Sequence, residues 1–122
     1  MVTEIEKLAD EQFMYVTSKG RRTGNPHEIE IWFGMSGRTV YILAGGRENS
    51  DTVRNIMANP AVTVRIGGHT FTGSGRVLAE DAEDALARRL LLEKYGPTYS
   101  GDLTEWGKTA LPVAVDLGDE IS

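Results

Sequence analysis

A basic stretch broken by glycines carries the clearest chemistry in this sequence. Gly20 and Gly24 let the backbone turn sharply and approach a ligand closely. Between and beside these glycines stand side chains that donate hydrogen bonds, namely Lys19, Arg21, Arg22 and Thr23. Such donors suit an anion, and phosphate above all. The same residues are equally compatible with a hairpin turn whose arginines are solvated, so the stretch predicts either an anion-binding loop or a charged surface turn.

A second stretch with affinity for anions follows a predicted strand. Gly45, Gly46 and Arg47 lead to Ser50 and Asp51, either of which can cap a helix over residues 52–58. The first N–H groups of a helix lack partners in the helix, and the helix dipole favours negative charge there. The alternative is an ordinary connection between a strand and a capped helix.

The remaining candidates for catalysis are sparse. His27, beside the basic stretch, either donates to a ligand or has a structural role. Glu28 and Glu30 share one strand face and form an acid–base pair, a metal site, or surface carboxylates that pair with arginine. The chain has no cysteine, and no motif presents an activated serine, so we expect neither a hydrolase nor a metal centre. Several aromatic residues either stack on a planar ligand or pack in the protein: Trp32, Tyr41, Tyr95, Tyr99 and Trp106.

Composition narrows the possible partners. The 122 residues carry a net charge of -5, with 40% hydrophobic and 25% charged residues, which is typical of a single globular domain. An acidic chain lacks the basic surface that nucleic acids and membrane surfaces attract, so we expect neither partner. No apolar run reaches the ~20 residues of a membrane span. We therefore expect no stable membrane insertion and a cytoplasmic location.

The spacing of apolar residues predicts a mainly β (α+β) fold. Alternation is clearest where Ile29, Ile31 and Phe33 share one strand face while Trp32 lies on the other. The run 39–44 is apolar on both faces, which indicates cover by a helix or by a partner subunit. We predict about six strands in a small barrel with two or three short helices. The predicted organisation is an N-terminal arm or short helix (1–12), the barrel domain (13–118) and a tail (119–122).

The order of these motifs resembles a known family. The run from Val16 to His27, the segment 41–46 and the segment 55–64 are together similar to the deazaflavin (F420)-dependent nitroreductases and quinone reductases. These proteins belong to the split β-barrel flavin and deazaflavin oxidoreductases, which include pyridoxamine-phosphate-oxidase-like proteins. The resemblance covers residues 13–117. The segment 44–60 is shorter than in the best-known members, and Thr52 and Val53 replace their usual tryptophan and tyrosine, which implies a different substrate pocket.

The resemblance implies an oxidoreductase that uses reduced F420 to pass a hydride to a small organic acceptor of the quinone, nitroaromatic or enone type. The residues that it places beside the cofactor are Lys19, Arg21, Arg22, Thr23, Gly24, Ala44, Gly45, Gly46, Arg47 and Asn55. On the substrate side it places Trp32, Tyr95 and Tyr99. Tyr99 and His27 are the candidate proton donors. The resemblance also implies a homodimer. Two alternatives to the F420-dependent function stay open, namely an FMN-dependent oxidoreductase of the same superfamily and a non-catalytic flavin- or tetrapyrrole-binding module.

Overall fold

Strands of alternating apolar and polar residues account for most of the structure. The computed structural model describes residues 4–79 and 81–121. In chain order its helices are α1 (Glu4–Lys7), α2 (Asp51–Ala58), α3 (Ala82–Tyr95) and α4 (Thr104–Thr109). Its strands are β1 (Met14–Lys19), β2 (Pro26–Ile31), β3 (Gly34–Ser36), β4 (Thr39–Ala44), β5 (Ala61–Ile66), β6 (His69–Val77) and β7 (Leu111–Glu120). The predicted mainly β class is confirmed.

The sheet curls until its two edges meet in one stretch of chain. All neighbouring strands are antiparallel, in the order β2-β1-β5-β6-β7-β4-β3. The edge strands β2 and β3 are separated only by Trp32 and Phe33, so one bent segment pairs with β1 on one side and β4 on the other. The sequence predicts a turn over residues 35–38, and the short strand β3 overlaps it. The small barrel is therefore confirmed, with β2 and β3 as two halves of one bent strand.

The interior of the barrel is apolar. Alternation along β1 turns Met14 and Val16 inward, and Phe33 at the bend is also fully buried. Val53 and Ile56 of α2 belong to the same core cluster. At the N-terminus, α1 continues into a 3₁₀ turn over Leu8–Asp10. Leu8 joins the core cluster, which agrees with the helical pattern predicted for this segment; residues 1–3 of the predicted arm lie outside the described residues.

A second apolar layer lies between the outer face of the barrel and α3. Tyr41 and Leu43 of β4 pack with Ala87, Leu91 and Tyr95 of α3 in one cluster. The cover predicted for β4 is thus provided by a helix of the same chain. Consequently, the apolar character of β4 is no longer an argument for a partner subunit.

Side-chain caps define where the longer helices begin. Ser50 accepts a hydrogen bond from the Val53 N–H at the start of α2, and Asp81 accepts from two N–H groups at the start of α3. The longest helix, α3, has 14 residues, and among the described residues we find no helix with the length and apolarity needed to cross a bilayer.

Two strand ends differ from the sequence prediction. The sequence predicts a strand over residues 69–80, but β6 ends at Val77; residue 80 lies outside the described residues. The sequence also predicts a last strand over residues 112–117, but β7 continues to Glu120 and into the segment assigned to a tail. Pairing of Phe71 with Glu120 sustains this extension, because cross-strand hydrogen bonds hold polar residues in a strand that apolar alternation does not reveal.

Candidate functional site

The basic stretch folds into a short loop between β1 and β2. Its backbone closes on itself, because the Gly20 N–H donates to the Asn25 carbonyl and the Gly24 N–H donates to the Gly20 carbonyl, both at 2.8 Å. Gly24 has a φ of 75°, a left-handed conformation that favours glycine. At Gly20 a Cβ would lie 2.7 Å from Nε2 of His27, so only glycine lets the His27 ring lie against the loop.

Arg21 is held in place by α2. The Oδ1 atom of Asn55 accepts from the Arg21 backbone N–H at 3.1 Å and from its Nη1 at 3.0 Å. Asn55 is only 2% exposed, so these bonds satisfy an oxygen that water does not reach readily. The Nη2 atom of Arg21 lies 3.3 Å from an oxygen of Asp51, whose side chain is mostly exposed. Asn55 therefore joins the loop to α2 and orients a guanidinium group that would otherwise be mobile.

A cavity of about 380 Å³ opens between this loop and α2, and we call it the loop pocket. Its lining consists of Gly20, Arg21, Arg22, Thr23, Asn25, His27, Asp51 and Asn55. Arg22 is exposed and has no hydrogen-bond or ion-pair partner among the described residues, so its guanidinium group is free for a ligand. The arrangement of two arginines, a hydroxyl and a histidine around one cavity suits a phosphate group.

The structure does not bring every predicted cofactor residue to the loop pocket. Lys19 lines a separate cavity of about 290 Å³ beside β5. Arg47 donates to the Thr109 carbonyl at the end of α4 and lies 3.4 Å from Glu48. Ala44 is buried in the barrel core, which leaves only its backbone for a ligand.

The segment that contains Gly45 and Gly46 lies between Trp106 and the start of α2. At one end, a Cβ on Gly45 would lie 3.7 Å from the Trp106 ring, and at the other end Ser50 caps α2. Gly46 packs on Ser50 at ordinary contact distances. This predicted cofactor segment thus runs from an aromatic cluster to the helix that carries Asn55.

The second cavity, of about 500 Å³, is here called the aromatic pocket. It is lined by Phe13, Glu30, Ile31, Trp32, Leu43, Tyr99, Asp102, Leu103 and Trp106. The Tyr99 and Trp106 rings meet the Trp32 ring edge-on, at centroid distances of 5.6 and 5.8 Å. The pocket brings together the predicted substrate-side residues Trp32 and Tyr99. Sequence reasoning did not assign Phe13, Leu43 and Leu103 to it, because they come from three segments far apart in the chain.

Tyr95 supports the aromatic pocket from behind. Its ring stacks on Trp32 with a centroid distance of 4.3 Å and an interplanar angle of 3°. The side chain is 1% exposed, and burial raises the pKa of its hydroxyl. That hydroxyl accepts from the Phe33 N–H and lies within hydrogen-bond distance of the Phe33 and Gln12 carbonyls. Tyr95 therefore reaches the pocket only through Trp32.

Lys94 reinforces the same bend. Its Nζ donates to the Phe33 carbonyl at 3.1 Å and lies 3.7 Å from the centroid of the Phe33 ring. Burial lowers the pKa of this ammonium group to about 8, while Asp10 and Glu11 act in the opposite direction. The last turn of α3 thus fixes the backbone at Phe33, directly after Trp32.

Two carboxylates complete the aromatic pocket. Glu30 accepts from the Tyr15 hydroxyl at 2.6 Å, and this bond raises the pKa of Tyr15. Asp102 accepts hydrogen bonds from Thr104, which lower the pKa of its carboxyl group. Glu28, which lies on β2 two residues before Glu30, is outside this lining. It pairs with Arg65 at 3.5 Å, which is one of the possibilities that the sequence left open.

The two candidate proton donors lie in different cavities. His27 lines the loop pocket and Tyr99 lines the aromatic pocket. His27 and Trp32 are separated by the length of β2, which at about 3.3 Å per residue is roughly 17 Å. Tyr99 packs against Trp32, so within one chain His27 and Tyr99 cannot serve the same reacting atom.

Solved structures share this fold. A candidate pyridoxamine 5'-phosphate oxidase from Listeria innocua is 15% identical, with a TM-score of 0.72 over 96% of this chain and 92% of that one. An F420-H2 dependent reductase is 20% identical, with a TM-score of 0.70 over 88% and 94%. A protein described as a domain-swapped dimer is also 20% identical, with a TM-score of 0.70 over 88% and 80%. At these identities the likeness establishes the split-barrel fold alone.

Sequence families give a more specific result. None of the curated proteins is similar enough in sequence to count as a relative. The family model of the F420H(2)-dependent quinone reductases, in contrast, matches residues 2–118, which is almost the whole chain. The match includes the basic loop, α2 and the segments that form the aromatic pocket. The chain therefore belongs to the F420H(2)-dependent quinone reductase family, whose members are enzymes that use the deazaflavin F420.

Proposed function

We propose that this protein binds F420 across its two cavities and reduces a small planar acceptor. In this proposal the loop pocket holds the phosphate of the cofactor, and the aromatic pocket receives the acceptor. The observation that carries the proposal is the fixed position of Arg21 on Asn55 in a cavity that also contains the free Arg22. A phosphate would gain two charge-assisted contacts there with little further ordering of Arg21.

The residues present fit the chemistry of such a cofactor. The loop pocket offers cationic and hydroxyl donors, and the Gly45–Gly46 segment offers backbone without bulky side chains on the way to Trp106. When bound, the reduced deazaflavin supplies a hydride. The task of the protein is then to hold the ring, exclude water and orient the acceptor against it. Trp32 and Trp106 provide flat surfaces for these purposes.

Tyr99 is our preferred proton donor for acceptors that need one. It lines the aromatic pocket and its side chain is 46% exposed, so it can exchange protons with solvent. His27 remains a candidate only for the end of the cofactor near the loop pocket. Tyr99→Phe should lower turnover of a quinone and leave F420 affinity unchanged, whereas an equal loss of both would argue for a structural role.

Titration of the purified protein with F420 tests the cofactor site. Each charge-assisted bond to phosphate contributes about 1.5–3 kcal/mol, so Arg22→Ala should weaken F420 binding by roughly 10- to 100-fold. In the part of the chain that the structure describes, Arg22 has no partner, so its loss should leave thermal stability unchanged. Arg89→Ala, which removes an exposed arginine from α3, is the matched control and should bind F420 like the parent protein.

The same titration with FMN and haem separates the alternatives. Binding of FMN without binding of F420 would overturn the proposal in favour of a flavin enzyme. Binding of F420 without oxidation of F420H2 by any quinone, nitroaromatic or enone would instead indicate a module that only sequesters its ligand. Unchanged F420 affinity in Arg22→Ala would show that the phosphate lies elsewhere.

We further propose that the protein is a homodimer. The similar structure described as a domain-swapped dimer supports this proposal, as do large apolar side chains left exposed in one chain, such as Phe13 and Met57. The cytoplasmic location expected from the sequence stays a prediction.

A further inference from the structure

We propose that the aromatic pocket selects its occupant by charge and favours planar aromatic cations over anions, with Glu30 and Asp102 as the residues that discriminate. This inference rests on the proposed function, because it assigns a class of acceptor to the pocket in which that function places the acceptor. The class includes N-alkylated heteroaromatic rings and aromatic compounds that carry an ammonium substituent.

The aromatic side chains supply the first half of the selectivity. One face of Trp32 is covered by Tyr95, and the Tyr99 and Trp106 rings stand nearly perpendicular to it at 84° and 85°. With the exposed Phe13 they surround the cavity with ring surfaces. The face of an aromatic ring carries partial negative charge and attracts a cation within about 6 Å. A planar cation can therefore stack and be attracted at the same time.

The carboxylates of Glu30 and Asp102 supply the second half of the selectivity. Both belong to the lining of the cavity, and neither forms an ion pair in the described structure. Glu30 is oriented by its 2.6 Å hydrogen bond from Tyr15, and Asp102 by its 2.9 Å bond from the Thr104 N–H. These partners are neutral donors, so they position the carboxylates without cancelling their negative charge.

Three cations lie near the pocket, but none belongs to its lining. Lys108 of α4 helps to lower the pKa of Asp102, and it lines only the neighbouring cavity that shares Asp102. Among the described residues that line the cavity, none is basic. Arg65 pairs with Glu28 and lies over the Tyr15 ring at 4.1 Å. Lys94 donates to the Phe33 carbonyl on the far side of the bend. An anionic acceptor would consequently face two carboxylates with no cation in the lining to contact it.

The chemistry of hydride transfer is balanced for such an acceptor. For an N-alkylated heteroaromatic cation, the hydride that bound F420H2 would supply forms a C–H bond at an electron-poor ring carbon, and its electron pair converts the cationic ring into a neutral dihydro product. The C–H bond of the cofactor breaks, the oxidised cofactor releases one proton to solvent, and this acceptor requires no proton. Because the product has lost its positive charge, the carboxylates favour the substrate over the product, and this difference assists release.

Calorimetric titration with three matched naphthalenes tests the inference without any turnover. The probes are 2-naphthyltrimethylammonium, 2-methylnaphthalene and 2-naphthalenesulfonate. We expect the cation to bind about tenfold more tightly than the anion at low ionic strength, with a ratio that decreases as salt is added. Glu30→Gln and Asp102→Asn should each reduce the ratio two- to fivefold, as is usual for exposed charges, and the double variant should keep only the smaller preference that the aromatic rings provide.

Glu28→Gln is the matched control, because Glu28 lies on the same strand but outside the cavity lining, and it should keep the parental ratio. Equal binding of cation and anion, or a double variant that keeps the full ratio, would overturn the inference. The outcome is separable from the proposed function. Reduction of uncharged quinones by F420H2 without charge selection would refute only the inference, whereas charge selection without F420 binding would refute only the proposed function.

Discussion

Tyr95 illustrates how one hydroxyl group can determine the shape of a site. It contacts both polar backbone atoms of Phe33, at 2.9 and 3.1 Å, at the bend where β2 becomes β3. The bend lacks strand partners for these atoms, and buried backbone groups are costly when unpaired. The position of Trp32, one residue earlier, depends on that bend.

Replacement of the hydroxyl should therefore be costly although the ring remains. We expect Tyr95→Phe to keep the stack on Trp32 but to lower the free energy of unfolding by about 1–3 kcal/mol, because the buried Phe33 N–H loses its acceptor while the Phe33 carbonyl keeps only Lys94. Urea denaturation measures the change. Tyr99→Phe, which removes a hydroxyl from a half-exposed ring, is the control for stability, and an equal effect of the two substitutions would contradict this explanation.

At the scale of elements, the approach of α2 to the barrel depends on a glycine. A Cβ on Gly75 of β6 would lie 2.7 Å from Cγ2 of Ile56, closer than real contacts allow. Ile56 is buried in the barrel core, and Asn55, next to it, holds Arg21 in the loop pocket. The absence of a side chain at Gly75 thus contributes to the position of a candidate binding residue.

Gly75→Ala should disturb stability and binding together. We expect it to lower the free energy of unfolding by about 1–3 kcal/mol through overpacking and to weaken F420 binding, since α2 must shift. The control is Ser74→Ala, a truncation at the exposed neighbouring position on β6. A variant that loses stability but binds F420 with parental affinity would show that Asn55 does not depend on this contact.

The connection of α3 to the sheet is electrostatic as well as apolar. Arg76 of β6 donates to both oxygens of Glu83 at 2.7 Å and to Asp116 of β7 at 2.8 Å. These bonds hold the pKa of each carboxyl group below its ordinary value. Tyr41 also donates to Glu83, and its burial is the main reason why its pKa rises to about 12.

This network predicts how stability responds to acid. Because the two carboxyl groups have lower pKa values in the folded state, the unfolded chain binds more protons below about pH 5. The stabilisation is therefore complete at neutral pH and is lost as the pH falls through the folded-state pKa values. Arg76→Ala should be less stable at pH 7 and should lose less stability between pH 7 and pH 3, as thermal unfolding would show.

Arg65→Ala is the matched control for the acid experiment. It removes a longer ion pair between exposed side chains, Arg65 and Glu28 at 3.5 Å, and such pairs contribute little. We expect its acid profile to follow that of the parent protein. The network explanation would be wrong if Arg76→Ala kept the parental decrease of stability in acid.

At the scale of the whole molecule, the proposed homodimer predicts the oligomeric state in solution. Sedimentation velocity should give a dimer at micromolar concentration, because Phe13 and Met57 leave apolar area exposed in one chain. Met57→Glu adds a charge to an exposed apolar position of α2 and should weaken the dimer if that face is buried between subunits. A monomer that binds F420 with full affinity would contradict a role of the dimer in the cofactor site.

The barrel was largely predictable from sequence, because the alternation of apolar and polar residues indicates short strands. Ile29, Ile31 and Phe33 lie with the core, as predicted, while Trp32 lies on the other side with α3. The helix caps were equally predictable, since capping depends on residues close in sequence. Ser50 was one of the two candidates for α2, and Asp81 is a capping residue type directly before the helical pattern of residues 82–95. The short strand β3 was missed because three residues beside a turn carry no periodicity.

What the sequence determined by itself is the local chemistry: a basic loop shaped by glycines, strands of fixed alternation, and a family membership carried by motifs in order. Only the tertiary structure decided which of these residues meet. It brought Asn55 to Arg21, directed Arg47 toward α4, and placed Glu30 and Asp102 at one aromatic cavity. The reason is that such contacts join residues distant in the chain, and their geometry depends on how the sheet curls and how the helices pack on it.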